Sequence, residues 1–244
     1  MKKAIIVVSF GTTHADAEAR CIRPVEDALG AAFPDWEICR AWTSRIIARR
    51  LAARGERLEN EVEALDRLRR AGYGRIAFVP THMIRGEEYA RVTAVADGLP
   101  VSAPLLDTGE DLKWMAGLLD GIAGEEGRTL LVMGHGTDHA ADETYARLRG
   151  ELTDRVKLAC VEGRHALEEI WDALEAVPGR ALTLMPLMLV AGDHAKHDLA
   201  GDSPDSWKNR LLAWGFDVRA RLTGLGALAD VRRRFVEKAA RALA

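Results

Sequence analysis

Short apolar runs alternate with longer amphipathic stretches along this chain. Runs such as Ala4-Ile5-Ile6-Val7-Val8 and Leu130-Leu131-Val132-Met133 have the continuous apolar character of buried strands, and the stretches between them carry helical periodicity. The pattern predicts strands near 3–9, 37–42, 75–82, 100–105, 128–134, 156–162, 181–190 and 216–222. Helices are predicted near 14–32, 43–53, 57–71, 86–97, 109–124, 138–151, 164–176, 204–214 and 227–243. Pro34 after the first helix, and Gly72 and Gly74 before the third strand, supply the punctuation such units need. Alternating βα units define an α/β fold with mainly parallel sheet. Four strands fall in each half, and Ala123-Gly124-Glu125-Glu126-Gly127 reads as the seam. The expectation is two similar lobes, 1–125 and 126–244, each a four-stranded sheet flanked by helices, with a cleft between them. The terminal helix is free to pack back on the first lobe.

The halves repeat one another. Val7-Val8-Ser9-Phe10-Gly11-Thr12 is echoed by Val132-Met133-Gly134-His135-Gly136-Thr137, and Phe78-Val79-Pro80 through Glu88 by Leu184-Met185-Pro186 through His194. The positions at which the copies differ, Phe10 against His135 and Glu88 against His194, are candidates for chemistry. In open parallel sheets ligands bind beyond the carboxyl ends of the strands. Phe10-Gly11-Thr12, Glu88, His135, Glu162 and His194 are all expected just past such ends, gathered at one rim.

Composition narrows the function classes. A net charge of −3 with no basic stripe gives no footprint for nucleic acid. No apolar stretch reaches membrane-spanning length, and the N-terminal run ends without a cleavage site, so it reads as a first strand. Three cysteines without CxxC spacing fit a reducing cytoplasm and leave metal chemistry to histidine and carboxylate.

Gly134-His135-Gly136 lets the backbone turn sharply and exposes the ring to something large. The segment from Leu187 to Asp198 empties an apolar run into a cluster holding Asp193, His194, Lys196, His197 and Asp198. Imidazole and carboxylate from these loops, with Glu162 between them in sequence, suit a late first-row divalent ion. Each also has a structural reading: His135 as a satisfied turn histidine, Asp193 and His194 as loop caps, Glu87 and Glu88 as acids favoured by a helix dipole. His197 and Asp198 read as structural or supporting, His139 as a surface residue, and His82 as a minor candidate. Serine-hydrolase and Walker motifs are absent. Gly224-Leu225-Gly226 has no following strand and reads as a turn into the last helix.

These residues resemble the anaerobic sirohydrochlorin cobaltochelatases of the CbiK type, among the class II tetrapyrrole chelatases. The likeness spans essentially the whole chain and is most specific in Val7 to Thr12, Met133 to Gly136 and Met185 to His194. Gly86-Glu87-Glu88-Tyr89, Asp205-Ser206-Trp207-Lys208 and Leu222-Thr223-Gly224-Leu225-Gly226 extend it. The resemblance implies ATP-independent insertion of Co2+, the substrate metal, into sirohydrochlorin with release of two protons, in anaerobic cobalamin synthesis. It implies His135 as proton acceptor and metal ligand, His194 and Glu162 as further ligands, and Glu88 as a catalytic acid from the opposite lobe. After Glu162 this chain carries Gly163-Arg164-His165 where relatives tend to have Ser-aromatic-Pro. The rim carboxylates of the macrocycle need donors, for which Thr12, the Phe10-Gly11-Thr12 turn, Arg45, Arg85 and Lys196 are candidates. Phe10 and Leu189-Val190-Ala191 are candidates for packing on its faces. Ligand chemistry alone leaves Ni2+, Fe2+ and Zn2+ open, and with them a siroheme ferrochelatase or a non-catalytic tetrapyrrole or metal carrier. Oligomeric state is not legible in the sequence.

Overall fold

A computed structural model describes all residues 1–244. The chain divides into two compact units, residues 1–105 with 226–244, and residues 106–225.

In the first unit β1 (Lys2–Ser9) lies between β2 (Glu37–Trp42) and β3 (Tyr73–Pro80), and both pairings are parallel. The helix after β1 begins as α1 (Ala15–Ala17), passes through a π-helical turn at Glu18–Ile22 and continues as α2 (Arg23–Ala32). Next come α3 (Arg45–Ala52), capped by Ser44, and α4 (Glu61–Arg70), opened by an Asn60–Glu63 capping box; α5 (Glu87–Ala96) follows β3. Ile6, Val8, Phe78, Leu65, Leu68 and Val92 join sheet and helices in one buried cluster.

The predicted strand at 100–105 is reduced to a single bridge between Phe78 and Val101. Phe78 N–H donates to Pro100 and Ser102 N–H to Phe78, and there the ladder ends. Pro100 and Pro104 flank the bridge and have no N–H to extend it. The first sheet therefore has three strands, not four.

The second unit opens with α6 (Gly109–Glu126), bounded by a Thr108–Asp111 capping box and by left-handed Gly127. Then come β4 (Thr129–Gly134), α7 (Glu143–Glu151), β5 (Val156–Cys160), α8 (Trp171–Glu175), β6 (Ala181–Pro186), α9 (Trp207–Ala213) and β7 (Asp217–Ala220). The strand order is β5-β4-β6-β7, wholly parallel. β6 ends at Pro186, short of the predicted 190, because the chain turns to pack on the 222–225 segment. Leu225 N–H donates to Met188, and a Cβ on Gly224 would stand 2.6 Å from the Leu189 carbonyl oxygen.

The expected seam at 125/126 is corrected. The buried face of α6, with Leu112, Met115, Leu119 and Ile122, packs on β4 and α7, so the helix belongs to the second unit. The terminal α10 (Ala229–Leu243) packs on α2 and β3 of the first unit. No helix is long and apolar enough to cross a membrane.

Candidate metal centre

β4 lies between β5 and β6, so the segments leaving their carboxyl ends are neighbours. His135 follows β4 directly, Glu162 stands just past β5, and His194 lies farther along the segment after β6. One ligand atom from each of the three falls within 4.8 Å of the others. His135 Nδ1 is 3.7 Å from a Glu162 carboxylate oxygen, and the two imidazoles meet edge to face at 4.8 Å between centroids. Two nitrogens and a carboxylate oxygen, partly open to solvent, make a donor set suited to a late first-row divalent ion with positions to spare.

The backbone explains the closeness. Beyond the last β4–β5 pair the ladder continues, with Val161 N–H donating to Gly134 and Glu162 N–H to His135, the latter at 2.8 Å. Gly136 has φ 78°, and a Cβ there would fall 1.8 Å from the Glu162 carbonyl oxygen. At Gly134 a Cβ would press on Cys160 Sγ and the Tyr145 ring, both at 2.9 Å. Both glycines flanking His135 are therefore required by packing. Tyr145 lies buried beneath, its hydroxyl held by the Gly136 and His135 backbone, and burial pushes that hydroxyl above its ordinary pKa. Burial likewise pushes the Cys160 thiol up to about 12, so without a metal it stays protonated at neutral pH.

Two further carboxylates organise the site. Asp142, wholly buried, accepts from Thr137 N–H at 3.1 Å and Arg164 N–H at 3.3 Å, tying the loop after β4 to the loop after β5. His165 Nε2 lies 3.4 Å from the same carboxylate without hydrogen-bond alignment, and its backbone carbonyl accepts from Cys160 N–H and Arg149. Asp198 Oδ2 lies 2.7 Å from His194 Nδ1. Asp142 carries no local signal in the sequence. Asp198 stood one helical turn from His194, and that spacing was the available clue.

The remaining candidates are distributed differently. Glu88 belongs to the first unit, in the first turn of α5 and not at a strand end, and Arg91 holds both its oxygens at 3.0 and 3.1 Å. The candidates thus come from both units, Glu88 from the first and His135, Glu162 and His194 from the second. Phe10 is 48% exposed beside Gly11, whose φ of 97° lets the turn lie on the Trp42 ring. Thr12 is buried and its hydroxyl accepts from His14 N–H. Arg45 Nη2 donates to the buried Glu61 carboxylate at 3.1 Å, while the rest of its side chain stays half exposed. Arg85 lies over the Tyr89 ring at 5.2 Å. Leu189 and Val190 are half-buried and Ala191 is buried. His139 Nδ1 accepts from Ala141 N–H as a helix cap. Both His82 ring nitrogens are buried without a partner, and burial, aided by Arg91, lowers that imidazole to about 4.

The fold and donor set are those of an α/β protein able to hold a divalent metal ion. Over 99% of this chain and 100% of its own, the solved structure of CbiX, described as the terminal enzyme for biosynthesis of siroheme in denitrifying bacteria, superimposes with a TM-score of 0.60 at 20% identity. The cobalt chelatase (CbiK) family model matches residues 3–244, and the chain belongs to that family. A sirohydrochlorin cobaltochelatase of Salmonella typhimurium strain LT2 is 35% identical, covering 97% of this chain and 94% of its own. The sirohydrochlorin cobaltochelatase CbiKC of Nitratidesulfovibrio vulgaris strain Hildenborough is 32% identical over 88% of this chain and 81% of its own.

Proposed function

We propose that the protein inserts Co2+ into sirohydrochlorin without ATP, releasing two protons, as a step of anaerobic cobalamin synthesis. The observation that carries this reading is the His135–Glu162–His194 set, with its ligand atoms within 4.8 Å, in a chain of the cobalt chelatase family. Insertion requires a cation stripped of water and two pyrrole N–H groups deprotonated. Three ligands hold the ion while leaving positions for water and pyrrole nitrogen. A well-placed imidazole such as His135 accepts a pyrrole proton, worth about 10²–10⁴-fold. Glu88 supplies a second ionisable group. Phe10, the Gly11-Thr12 turn, Arg85 and the Leu189-Val190-Ala191 segment contact the macrocycle. The three buried free cysteines suit a reducing compartment such as the cytoplasm.

Purified protein mixed with Co2+ and sirohydrochlorin, with no nucleotide, tests the reading through the macrocycle absorption. Insertion well above the protein-free rate is expected, with most of it lost in His135→Ala and in His194→Ala. A background rate contradicts the assignment, tight stoichiometric binding without turnover indicates a carrier, and clear preference for Fe2+ in competition indicates siroheme synthesis.

A further inference from the structure

We propose that Asp198 is a positioning residue for the metal set, locking His194 as the Nδ1–H tautomer so that Nε2 is the nitrogen offered to the cation. The proposal rests on His194 being a metal ligand. An ionised carboxylate only accepts hydrogen bonds, so at 2.7 Å from Asp198 Oδ2 the His194 Nδ1 must carry the proton. The lone pair is then on Nε2.

The fold builds this contact. His194 leads into the π-helical turn Ala195–Leu199, which is seated by buried Ala195 and Leu199. Lys196 N–H donates to Gly192 at the start of the turn, and Gly201 N–H to His197 at its end. A Cβ on Gly201 would lie 2.4 Å from the His197 carbonyl oxygen, so the exit is closed to any larger residue. Asp198 is thereby presented to the ring from a backbone fixed on both sides.

The two histidines differ in what holds them. His135 Nδ1 faces the Gly136 carbonyl at 2.9 Å, a neutral acceptor, whereas His194 Nδ1 faces a carboxylate. A carboxylate partner makes an imidazole the better metal donor. His194 is thus the more firmly oriented ligand of the two. Were Asp198 only a surface ion-pair partner at i,i+4 spacing, its removal would shift stability slightly and leave the metal alone.

Co2+ titration against a competing chelator, without macrocycle, separates these readings when combined with long-range ¹⁵N–¹H NMR of the metal-free protein. His194→Ala should abolish binding. Asp198→Ala should weaken the Co2+ Kd about 10–100-fold, alter the cobalt visible spectrum and leave His194 as a mixture of tautomers. Asp198→Asn, which keeps an acceptor oxygen without the charge, should fall between. Thermal unfolding of the metal-free proteins reports folding; if the alanine variant fails to fold, the asparagine variant decides. A Kd within twofold of wild type, or an unchanged His194 tautomer in Asp198→Ala, overturns the proposal. Wild-type Co2+ binding by His194→Ala overturns the ligand assignment instead.

Discussion

Gly136 is where the site tolerates least. Its φ of 78° and the 1.8 Å approach of a hypothetical Cβ to the Glu162 carbonyl oxygen mean that any side chain forces apart the two loops carrying His135 and Glu162. Gly136→Ala should cost about 3 kcal/mol or more in urea unfolding and weaken Co2+ binding. Wild-type values for both would show that the close approach is dispensable. That Gly134 and Gly136 make a sharp turn is legible from the sequence, because glycine frees the backbone wherever it occurs. What each glycine makes room for is not, since Tyr145, Cys160 and Glu162 arrive from elsewhere in the chain. Arg45 shows the reverse: its charge is legible, but its pairing with Glu61 depends on α4 packing beside it.

At the scale of elements, adjacent parallel strands assemble the metal set and Asp142 fastens it. Asp142→Ala would leave the Thr137 and Arg164 N–H groups without their acceptor. A loss of about 2–4 kcal/mol is expected, with faster amide exchange confined first to residues 135–142 and 162–166, and a smaller loss for Asp142→Asn. Unchanged exchange in both loops would refute the clamp. The apolar runs made most strands legible, including the three that carry the ligands. They overstated 100–105, where Pro100 and Pro104 stop the ladder after one bridge, and β6, which leaves the sheet at Pro186. Periodicity reports burial, and burial continues past the last residue that can hydrogen-bond to a neighbouring strand.

For the whole molecule, the duplication was legible while the division between units was not. The boundary precedes α6 because that helix covers β4, and α10 returns to α2 and β3. Stability should also depend on pH through His82. Its folded pKa of about 4 lies below the ordinary 6.5, so the unfolded chain binds the extra proton first. The neutral ring's contribution is complete above pH 6.5 and is lost as pH falls towards 4, at most about 3 kcal/mol for the gap between those two values. Urea unfolding at pH 7 and pH 4.5 should show a smaller difference for His82→Leu than for wild type; equal differences would remove His82 as a cause. The most direct test of the account is to locate the cobalt itself. Anomalous diffraction at the cobalt edge from crystals soaked in Co2+ should place the ion about 2.0–2.2 Å from His135, His194 and Glu162 donor atoms. Cobalt held by other residues, or none bound at these three, would contradict it.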